Sequence, residues 1–369
     1  MKILILGGTG AMGTHLVDLL NIKENEVLVT SRSSKDSLGK VSFISGNAKE
    51  IDFLSNLLIN RWDVIVDFMV YNTGEFYERI NLFLDSTSQY IFLSSARVYA
   101  DSEKPMKETS SRLLDISTDK EFLGTDEYAL SKCRQENILK QSGKNNWTII
   151  RPYITYSSQR LQLGVFEKED WLYRALNGKT IVFSEEINKC VTTMTSGFDV
   201  AKGIVPLVGN REAFGETFHI TSPQPYKWSD ILDIYLTVLE KHLGYRPKVF
   251  LDNIENLKQY HDAPYQVKYD RLFNRTFDNS KIMKYVDVYS FTTAEEGLKE
   301  SLEKFIENPK FKNIDWRKEA VKDMHTKEVA RIKEIPGFKQ RINYILNRFF
   351  ISQKLLLCQI IILARKMCK

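Results

Sequence analysis

The chain has 369 residues, of which 43% are hydrophobic and 27% are charged, as is ordinary for a globular protein. This length excludes a small disulfide-stapled fold and allows a large core, or two domains that share one site. The formal net charge of +5 is uneven, because residues 308–369 contain 15 Lys or Arg against 5 Asp or Glu. The four cysteines lack metal-ligand spacing and no apolar leader precedes the first strand, so we expect a reduced, cytoplasmic protein without a metal.

The first strand and the turn after it organise the chain. Ile3–Leu6 has the length and branching of a buried parallel strand. The motif Gly7-x-x-Gly10-x-x-Gly13 follows directly, and a helical pattern with three leucines on one face comes next. This order is typical of a dinucleotide site, because glycines let the backbone approach a pyrophosphate and the helix start offers free N–H groups. An ordinary tight turn is the alternative.

A second strand, Glu26–Thr30, ends in Ser31-Arg32-Ser33. In dinucleotide folds this strand end faces the adenosine ribose, where an acidic residue accepts from the 2′-hydroxyl and an Arg instead meets a 2′-phosphate. Arg32 therefore favours NADP(H) over NAD(H), since a guanidinium can pair a phosphate through two hydrogen bonds. A solvated surface arginine is the alternative.

Apolar strands and helices continue to alternate through the first half of the chain. Such alternation implies a parallel sheet with helices on both faces, and ligands bind at the carboxyl ends of such strands. Ser94 and Ser95 follow one of these ends. The further predicted elements are a strand at Val41–Ser45, a helix at Ile51–Leu58 and strands at Asp63–Val70, Tyr90–Leu93 and Trp147–Arg151.

A later helix carries two groups that point to proton transfer. Tyr128 and Lys132 lie four residues apart, so their phenol and ammonium share one helical face, and Thr125 or Asp126 can cap this helix. Residues 100–126 have no clear period, and we interpret them as a loop that could cover the site. An exposed surface pair is the alternative for Tyr128 and Lys132.

Six sequence motifs occur in the order found in one enzyme family. Together they resemble the extended short-chain dehydrogenase/reductase family, the nucleotide-sugar epimerases and dehydratases, over residues 1 to about 305. The motifs are Gly7-x-x-Gly10-x-x-Gly13, Ser94-Ser95-Ala96-Arg97-Val98-Tyr99, Tyr128-x-x-x-Lys132, Arg151-Pro152-Tyr153, Phe198-Asp199-Val200-Ala201, and Asp278-Asn279-Ser280-Lys281 with Glu295-Glu296-Gly297-Leu298.

The resemblance implies a role for three catalytic residues. Tyr128 would transfer the proton, Lys132 would be its electrostatic partner and ribose ligand, and Ser95 would bond the reacting oxygen. A tyrosine titrates near pH 10 in water, and a neighbouring ammonium and an oxidised nicotinamide favour its ionised form. The cofactor contacts carried over by resemblance are Gly7, Thr9, Gly10, Ala11, Met12, Gly13, Ser31, Arg32, Asn47, Ala48, Ser94, Tyr128, Lys132, Pro152 and Tyr153.

The resemblance also implies the architecture. We predict an α/β fold, with a Rossmann-type doubly wound parallel sheet, a smaller C-terminal substrate lobe and a helical C-terminal extension. The predicted boundaries are 1–165 for the dinucleotide-binding domain, 166–306 for the substrate-binding lobe, which is partly interleaved with the first domain, and 307–369 for the basic extension.

Departures from the family pattern restrict the reactions and substrate contacts that the resemblance implies. Ala96-Arg97 stands where dehydratases place an Asp-Glu pair, so elimination of water from a sugar is not expected. The family's arginine for the substrate pyrophosphate, ahead of Phe198-Asp199, is absent, and Asp67-Phe68-Met69-Val70 alters the wall near the nicotinamide. The candidate substrate-binding residues, each of which could instead be a solvated charge, are Arg97, Arg160, Lys189, Arg271 and Arg275.

The end of the chain follows no family pattern. No acidic residue occurs after Glu334, and the apolar run Leu355–Ala364 is too short to span a bilayer. Residues 337–369 could lie as a helix on an anionic membrane, pair with a partner subunit or form a disordered appendage. The resemblance favours a homodimer.

Two classes of function remain open. One is an NAD(P)-dependent enzyme that interconverts hydroxyl and keto groups on a nucleotide-activated sugar, as an epimerase for surface-polysaccharide synthesis or as an NADPH-dependent keto-sugar reductase. The other is a non-catalytic dinucleotide sensor or RNA-binding protein with the same fold. Tyr128, Lys132 and Ser95 favour the enzyme. The positive charge is too local for us to expect a nucleic-acid partner.

Overall fold

The computed structural model describes residues 1–22, 25–37 and 39–350. The strands in these ranges are β1 (Lys2–Leu6), β2 (Glu26–Ser31), β3 (Val41–Ser45), β4 (Trp62–Asp67), β5 (Thr87–Leu93), β6 (Trp147–Pro152), β7 (Thr155–Tyr156), β8 (Ile181–Ser184), β9 (Val191–Thr192), β10 (Thr195–Ser196), β11 (Glu216–Ile220), β12 (Tyr226–Lys227) and β13 (Val249–Asp252).

The helices in the same ranges are α1 (Gly13–Asn21), α2 (Ile51–Leu58), α3 (Thr73–Ser86), α4 (Leu113–Ile116), α5 (Lys120–Leu123), α6 (Tyr128–Lys140), α7 (Lys168–Leu176), α8 (Glu185–Lys189), α9 (Gly197–Ile204), α10 (Trp228–Leu243), α11 (Ile254–Leu257), α12 (Pro264–Gln266), α13 (Ala294–Glu307), α14 (Trp316–Thr326) and α15 (Phe338–Phe349). A π-helical turn, Val267–Arg271, follows α12.

Seven strands form one parallel sheet in the order β11-β6-β5-β4-β1-β2-β3. The strand order reverses between β1 and β4. The chain segments that leave the carboxyl ends of these two strands therefore border the same crevice, which is where open α/β sheets bind their ligands.

The side chains of β1 belong to two hydrophobic cores, one on each face of this sheet. Ile3 and Ile5 pack with Leu16 of α1 and with residues of α9, whereas Leu4 and Leu6 pack with residues of α2, α3 and α6. Successive side chains of a strand point to opposite faces, so an apolar strand needs a helical layer on each side. The predicted doubly wound parallel sheet is confirmed.

The seventh strand of the sheet comes from the region predicted as the substrate lobe. β11 pairs with β6 in parallel, and α9 packs beside α1. The rest of this region forms most of the lobe, in which β8 pairs with β13 and β9 with β12. Its strand β10 pairs with β7, which precedes residue 166. The lobe core includes Trp171 of α7 and Tyr235 of α10, whose rings stack with their centres 4.5 Å apart.

The described part of the extension, up to residue 350, packs against the lobe. Trp316 of α14 meets Tyr173 of α7 and Tyr344 of α15, with ring centres 5.9 Å and 6.2 Å apart. These residues belong to a separate small core with Ala320, Ala330 and Ile335. Among the described helices, no segment has the length and apolar character needed to cross a bilayer.

Two local predictions need correction. The strand predicted as Asp63–Val70 ends at Asp67, because the Asp67 carboxylate accepts a hydrogen bond from the Met69 N–H at 2.8 Å and the chain turns there. Residues 100–126, predicted as a loop without regular structure, contain the short helices α4 and α5.

Helix α6 begins at Tyr128 as predicted, but a different residue caps it. The Glu127 carboxylate accepts a hydrogen bond from the Ala129 N–H at 2.7 Å. Asp126, one of the two predicted caps, instead accepts from the backbone N–H of Thr73 at 2.9 Å, so it ties α6 to α3.

Candidate active site

A cavity of about 590 Å³ lies where β1, β4, β5 and β6 end, between the sheet and the lobe. Its walls contain many of the predicted site residues, although residues 100–126, predicted to cover the site, contribute none of the lining in the described chain. The predicted residues that the structure brings to the cavity are Met12, Ser94, Ser95, Arg97, Tyr128, Lys132, Pro152, Tyr153, Arg160 and Arg271.

Tyr128, the first residue of α6, lines this cavity beside Ser95, which follows β5. Burial raises the pKa of the Tyr128 phenol above its ordinary value, although Arg97, a hydrogen bond with the Ser95 side chain and Arg160 act to lower it. The phenol is therefore protonated at neutral pH in the free protein. Further stabilisation of the phenolate has to come from a bound molecule.

Arg97 covers Tyr128 from the side of the 3₁₀ turn Ala96–Val98. Its guanidinium carbon lies 5.2 Å from the centre of the Tyr128 ring. Two carboxylates hold it there, Glu127 at 2.5 Å and Asp270 at 3.6 Å. Burial lowers the pKa of Arg97, but these two carboxylates raise it above its ordinary value, so the cation beside Tyr128 is permanent.

Lys132 lies one helical turn after Tyr128 and lines the same cavity. Its ammonium donates a hydrogen bond to the Leu93 carbonyl at 2.8 Å and lies 6.0 Å from the centre of the Tyr128 ring. Burial lowers the pKa of Lys132 to about 8, against the opposing charges of Asp67 and Glu136. Lys132 is therefore mostly charged at neutral pH, as its predicted role requires.

A buried ion cluster below the site was not predicted. The Glu136 carboxylate, one turn after Lys132, accepts from the Arg151 guanidinium at 2.6 and 2.8 Å and from the Arg112 guanidinium at 3.2 Å. It also accepts from the Ser94 hydroxyl at 2.6 Å. Ser94, predicted to contact a cofactor, thus uses its hydroxyl to anchor the strand end to α6.

Asp67 is a second buried acid, in the stretch predicted to lie at the wall near the nicotinamide, but its hydrogen-bond partners were not predicted. Its carboxylate accepts from the Tyr90 hydroxyl at 2.7 Å and from the Met69 N–H at 2.8 Å. Burial raises the pKa of Asp67 to about 6, although these hydrogen bonds and the Lys132 charge lower it. A carboxylic acid directly after the apolar run Val64–Val66 was the available signal, because a buried acid needs partners.

The glycine turn fits a dinucleotide. Gly7 has φ +70°, a left-handed conformation that favours glycine, and a Cβ on Gly13 would lie 2.7 Å from the Gly8 backbone. A Cβ on Gly10, by contrast, would meet no atom within 4 Å. The loop therefore has open space at Gly10, and the Met12 side chain makes no capping hydrogen bond to the first turn of α1, where a pyrophosphate can approach.

The residues predicted to hold the adenosine end lie at the same sheet edge. Ser31 ends β2 and is buried, and Arg32 next to it is exposed. Asn47, which is exposed, and Ala48, which is buried, follow β3. Thr9 and Ala11 lie in the loop after β1. Because β1, β2 and β3 are neighbouring parallel strands, all these residues border one edge.

Three of the five predicted substrate cations reach the cavity, namely Arg97, described above, Arg160 and Arg271. Arg160 is about half exposed and lies 3.6 Å from the Glu167 carboxylate. Arg271 is buried, donates from Nε to the Gly164 carbonyl at 2.8 Å and pairs with Asp270. Both line the cavity, as a substrate ligand must.

The structure does not bring the other two to the cavity. Lys189 is exposed on α8 and pairs with Glu185 one turn earlier at 2.7 Å. Arg275 is fully buried and donates to the backbone carbonyls of Tyr99, Ala100 and Tyr269 at 3.0–3.1 Å. Its donors are occupied by the fold, so Arg275 acts as a structural residue in this arrangement.

Several lining residues were not predicted, among them the acids Glu167 and Asp170 and the bases His261 and Lys318. His261 comes from the segment before α12, and Lys318 comes from α14 in the extension. Neither belongs to a sequence motif, and both are far in sequence from the motifs around Tyr128. A basic tail gives no indication of which of its lysines turns inward.

A family model for the NAD-dependent epimerase/dehydratase family matches residues 3–183. The match spans 181 of the 369 residues, just under half of the chain. The match begins in β1 and ends in β8, so it contains the glycine turn, Ser95, Tyr128 and Lys132. The family resemblance inferred from the motifs is confirmed.

One curated relative of the chain is named for stem-loop binding and not for an epimerase activity. The chain is 25% identical over 236 residues to the chloroplast stem-loop binding protein of 41 kDa b from Arabidopsis thaliana. The match covers 60% of this chain and 58% of the relative, so the chain spans less than two thirds of that protein's length.

Solved structures of epimerases have the same fold. Epimerase Mth375 from Methanothermobacter thermautotrophicus superposes with a TM-score of 0.65 at 17% identity, over 83% of this chain and 92% of that one. UDP-glucuronic acid 4-epimerase from Bacillus cereus, in complex with UDP-glucuronic acid and NAD, superposes with a TM-score of 0.61 at 19% identity, over 83% of this chain and all of that one. At these identities the likeness establishes the fold.

Proposed function

We propose that the protein is an NAD(P)-dependent enzyme that interconverts hydroxyl and keto groups on a nucleotide-activated sugar. The observation that supports this most is the meeting of Tyr128, Ser95 and Lys132 in one cavity at the strand ends beside the glycine turn. A phenol, a hydroxyl and an ammonium around a dinucleotide site suit proton transfer coupled to hydride transfer.

The chain's own residues would manage the proton. Tyr128, as phenolate, takes the proton of the substrate hydroxyl, and Ser95 donates a hydrogen bond to the same oxygen. Lys132 and Arg97 stabilise the phenolate by their charge. A nicotinamide dinucleotide bound over the glycine turn supplies the hydride acceptor and donor. In the reverse direction Tyr128 returns the proton to the alkoxide.

The cofactor is a nicotinamide dinucleotide in this proposal. Whether the protein prefers NADP(H), which carries a 2′-phosphate, or NAD(H) depends on the role of Arg32. The Bacillus cereus epimerase is a complex with NAD, which gives no support to the preference for NADP(H) predicted from the sequence. Calorimetric titration with NAD⁺ and NADP⁺ tests this. If Arg32 meets a 2′-phosphate, Arg32→Ala weakens NADP⁺ and leaves NAD⁺ unchanged. Equal loss for both dinucleotides contradicts that role.

Epimerisation is the proposed reaction, and reduction of a keto-sugar by NADPH is its rival. An epimerase regenerates its cofactor in every cycle, so the purified enzyme needs no added dinucleotide once loaded. A reductase consumes one NADPH for each product molecule. Absorbance at 340 nm distinguishes them when UDP-glucuronic acid or UDP-glucose is mixed with excess NADP⁺. A reductase working in reverse oxidises a sugar hydroxyl and accumulates NADPH, whereas an epimerase forms product without net reduction of the dinucleotide.

The substrate class rests on the family and on a neighbour that binds UDP-glucuronic acid. Arg160 and Arg271 supply positive charge in the cavity for a diphosphate. Elimination of water is not proposed, because Ala96-Arg97 replaces the acid and base and Arg97 is held by Glu127 and Asp270. Surface-polysaccharide synthesis is the proposed use of the product.

Binding to a nucleic-acid stem-loop is the second candidate, and the name of the Arabidopsis relative favours it. The two functions predict different results for Tyr128→Phe. This variant loses turnover if the protein is an enzyme, whereas stem-loop affinity does not change. Gel-shift titration with a stem-loop RNA and a single-stranded RNA of equal length, at two salt concentrations, decides whether specific binding exists.

Contact with an anionic membrane is our proposal for the extension. The apolar side chains Phe338, Ile342, Ile345, Leu346 and Phe349 of α15 are exposed at helical spacing. Residues 338–369 contain basic but no acidic residues, which suits an anionic surface.

Vesicle sedimentation tests this contact. Ile342→Glu should reduce co-sedimentation with phosphatidylserine vesicles, while Asn343→Glu, which adds the same charge at an exposed neighbouring position, should reduce it less. Equal binding by all forms rules the contact out and favours the partner-helix alternative. The homodimer and the cytoplasmic location stay predictions, and analytical ultracentrifugation checks the first.

A further inference from the structure

The extension is held to the lobe by a buried group of charges. Arg174 of α7 is fully buried and donates to Glu319 at 2.8 Å and to Asp323 at 2.9 Å, both on α14. It also pairs with Glu328 at 2.8 Å. Lys322 of α14 lies 2.9 Å from the Glu319 carboxylate. Buried ions at this separation require their partners, so α14 has a defined position on the lobe.

This position turns one lysine of the extension into the cavity. Lys318 lines the cavity, and it pairs with Asp262 at 2.7 Å and lies 3.8 Å from Asp315. Asp262 is 70% exposed, so its pair with Lys318 is of the weak, solvated kind. An ammonium has three hydrogen-bond donors, so Lys318 can bind a further anion while it keeps its pair with Asp262.

His261, a partly buried neighbour of Lys318, has one ring nitrogen without a hydrogen-bond partner among the described residues. His261 lines the same cavity, and its Nε2 atom is buried but has no hydrogen-bond partner among the described residues. Its ring meets the edge of Phe166 at 5.9 Å. Burial lowers the pKa of His261 to about 4. The carboxylate of Asp170, which also lines the cavity, acts to raise this pKa, whereas Lys318 and Arg271 act to lower it. At neutral pH the ring is therefore uncharged and can donate one hydrogen bond.

We propose that the extension completes the active site, with Lys318 and His261 holding an anionic group of the substrate. A buried imidazole nitrogen without a partner costs free energy, and an oxyanion that receives its hydrogen bond, once the His261 ring turns Nε2 toward the cavity, removes this cost. The ammonium of Lys318 and the guanidinium of Arg271 supply the positive charge that such a group needs. The basic extension is thus a part of the catalytic unit, and this inference rests on the proposed function.

A matched pair of variants in α14 tests the proposal in the full-length protein. Lys318→Ala removes the cation from the cavity, and Arg317→Ala removes a neighbouring cation that is 59% exposed and does not line it. Calorimetric titration of the NAD⁺-saturated protein with UDP-glucuronic acid should show at least tenfold weaker binding for Lys318→Ala and less than twofold change for Arg317→Ala. Lys318→Arg, which keeps the charge, should restore most of the affinity.

The dinucleotide serves as the internal control. NAD⁺ should bind both variants as it binds the wild type, which shows that a loss with Lys318→Ala is not unfolding. Equal affinity of Lys318→Ala and the wild type for UDP-glucuronic acid overturns the inference. So does a wild type that binds NAD⁺ but not UDP-glucuronic acid at millimolar concentration. Failure to bind NAD⁺ or NADP⁺ would instead overturn the proposed function itself.

Discussion

The guanidinium carbon of Arg97 lies 5.2 Å from the centre of the Tyr128 ring. Arg97 occupies the place where the dehydratase pattern has an acidic residue, and Glu127 and Asp270 keep it charged. A fixed cation at this point favours the ionised phenol and offers no base for the elimination of water. The same residue therefore supports proton transfer by Tyr128 and argues against a dehydratase.

Tyr128→Phe should strongly reduce turnover and leave the fold intact. The change removes the proton-transfer group and nothing else, and the loss of general acid–base catalysis typically costs about 10²- to 10⁴-fold in rate. Product formation from the substrate, once found, should fall by that factor in discontinuous assays. Tyr77→Phe, at a 71% exposed position, is the control and should keep full activity. Comparable rates for both variants would exclude Tyr128 as the base.

Arg97→Gln should move the activity profile to higher pH. Burial raises the pKa of Tyr128, and Arg97 is the largest influence that lowers it. Without this cation the pKa rises further, so less phenolate forms at neutral pH, and kcat/KM at pH 7 should fall about 10- to 100-fold and recover as pH increases. Arg97→Lys keeps a positive charge and should move the acid limb less. An unmoved acid limb in Arg97→Gln contradicts the electrostatic role.

Glu136→Gln should destabilise the fold. Glu136 is fully buried and receives hydrogen bonds from Arg151, Arg112 and Ser94. Breaking a buried ion pair by removing one partner costs about 3–5 kcal/mol, which urea denaturation followed by fluorescence can measure. Glu103→Gln, at an exposed position, should change the free energy of unfolding by less than about 0.5 kcal/mol.

Acid should weaken the docking of the extension. Burial raises the pKa of Asp323, but Arg174 and Lys179 outweigh this and hold it below its ordinary value. A depressed folded-state pKa gives stability that is present above the unfolded-state value, near 4, and lost as pH falls through the folded value.

Asp323→Asn checks this pH dependence. The difference in unfolding free energy between the wild type and Asp323→Asn should be largest at pH 6–7 and should shrink below about pH 4. Glu307→Gln, at an exposed position at the end of α13, should show no such difference at any pH. A difference that stays constant down to pH 3 would mean that the Asp323 charge does not hold the extension.

The local parts of this site could be predicted from the sequence because short-range spacing determines them. The strand, glycine turn and helix at Ile3–Leu20 form one continuous segment, and Tyr128 and Lys132 share a helical face by their spacing alone. Their roles needed the family resemblance as well.

The parts that could not be predicted depend on contacts distant in sequence. The pairing of β11 with β6 joins residues 68 positions apart at Thr148 and Glu216, and no local pattern announces it. The sequence does not distinguish Arg271 from Arg275. Arg271 lines the cavity, whereas Arg275 donates its hydrogen bonds to backbone carbonyls. Lys318 reaches the site because Arg174 positions α14.

Titration of the full-length protein with NAD⁺ and NADP⁺ in a calorimeter tests the central claim most directly, with Gly10→Ala as the matched variant. Gly10 has open space around it, so an added methyl group is compatible with the fold and intrudes on the place of the pyrophosphate. One dinucleotide should bind per wild-type chain, and Gly10→Ala should weaken it at least tenfold without a change in melting temperature. No heat of binding with either dinucleotide, or equal affinity in Gly10→Ala, would contradict a dinucleotide over the glycine turn beside Tyr128.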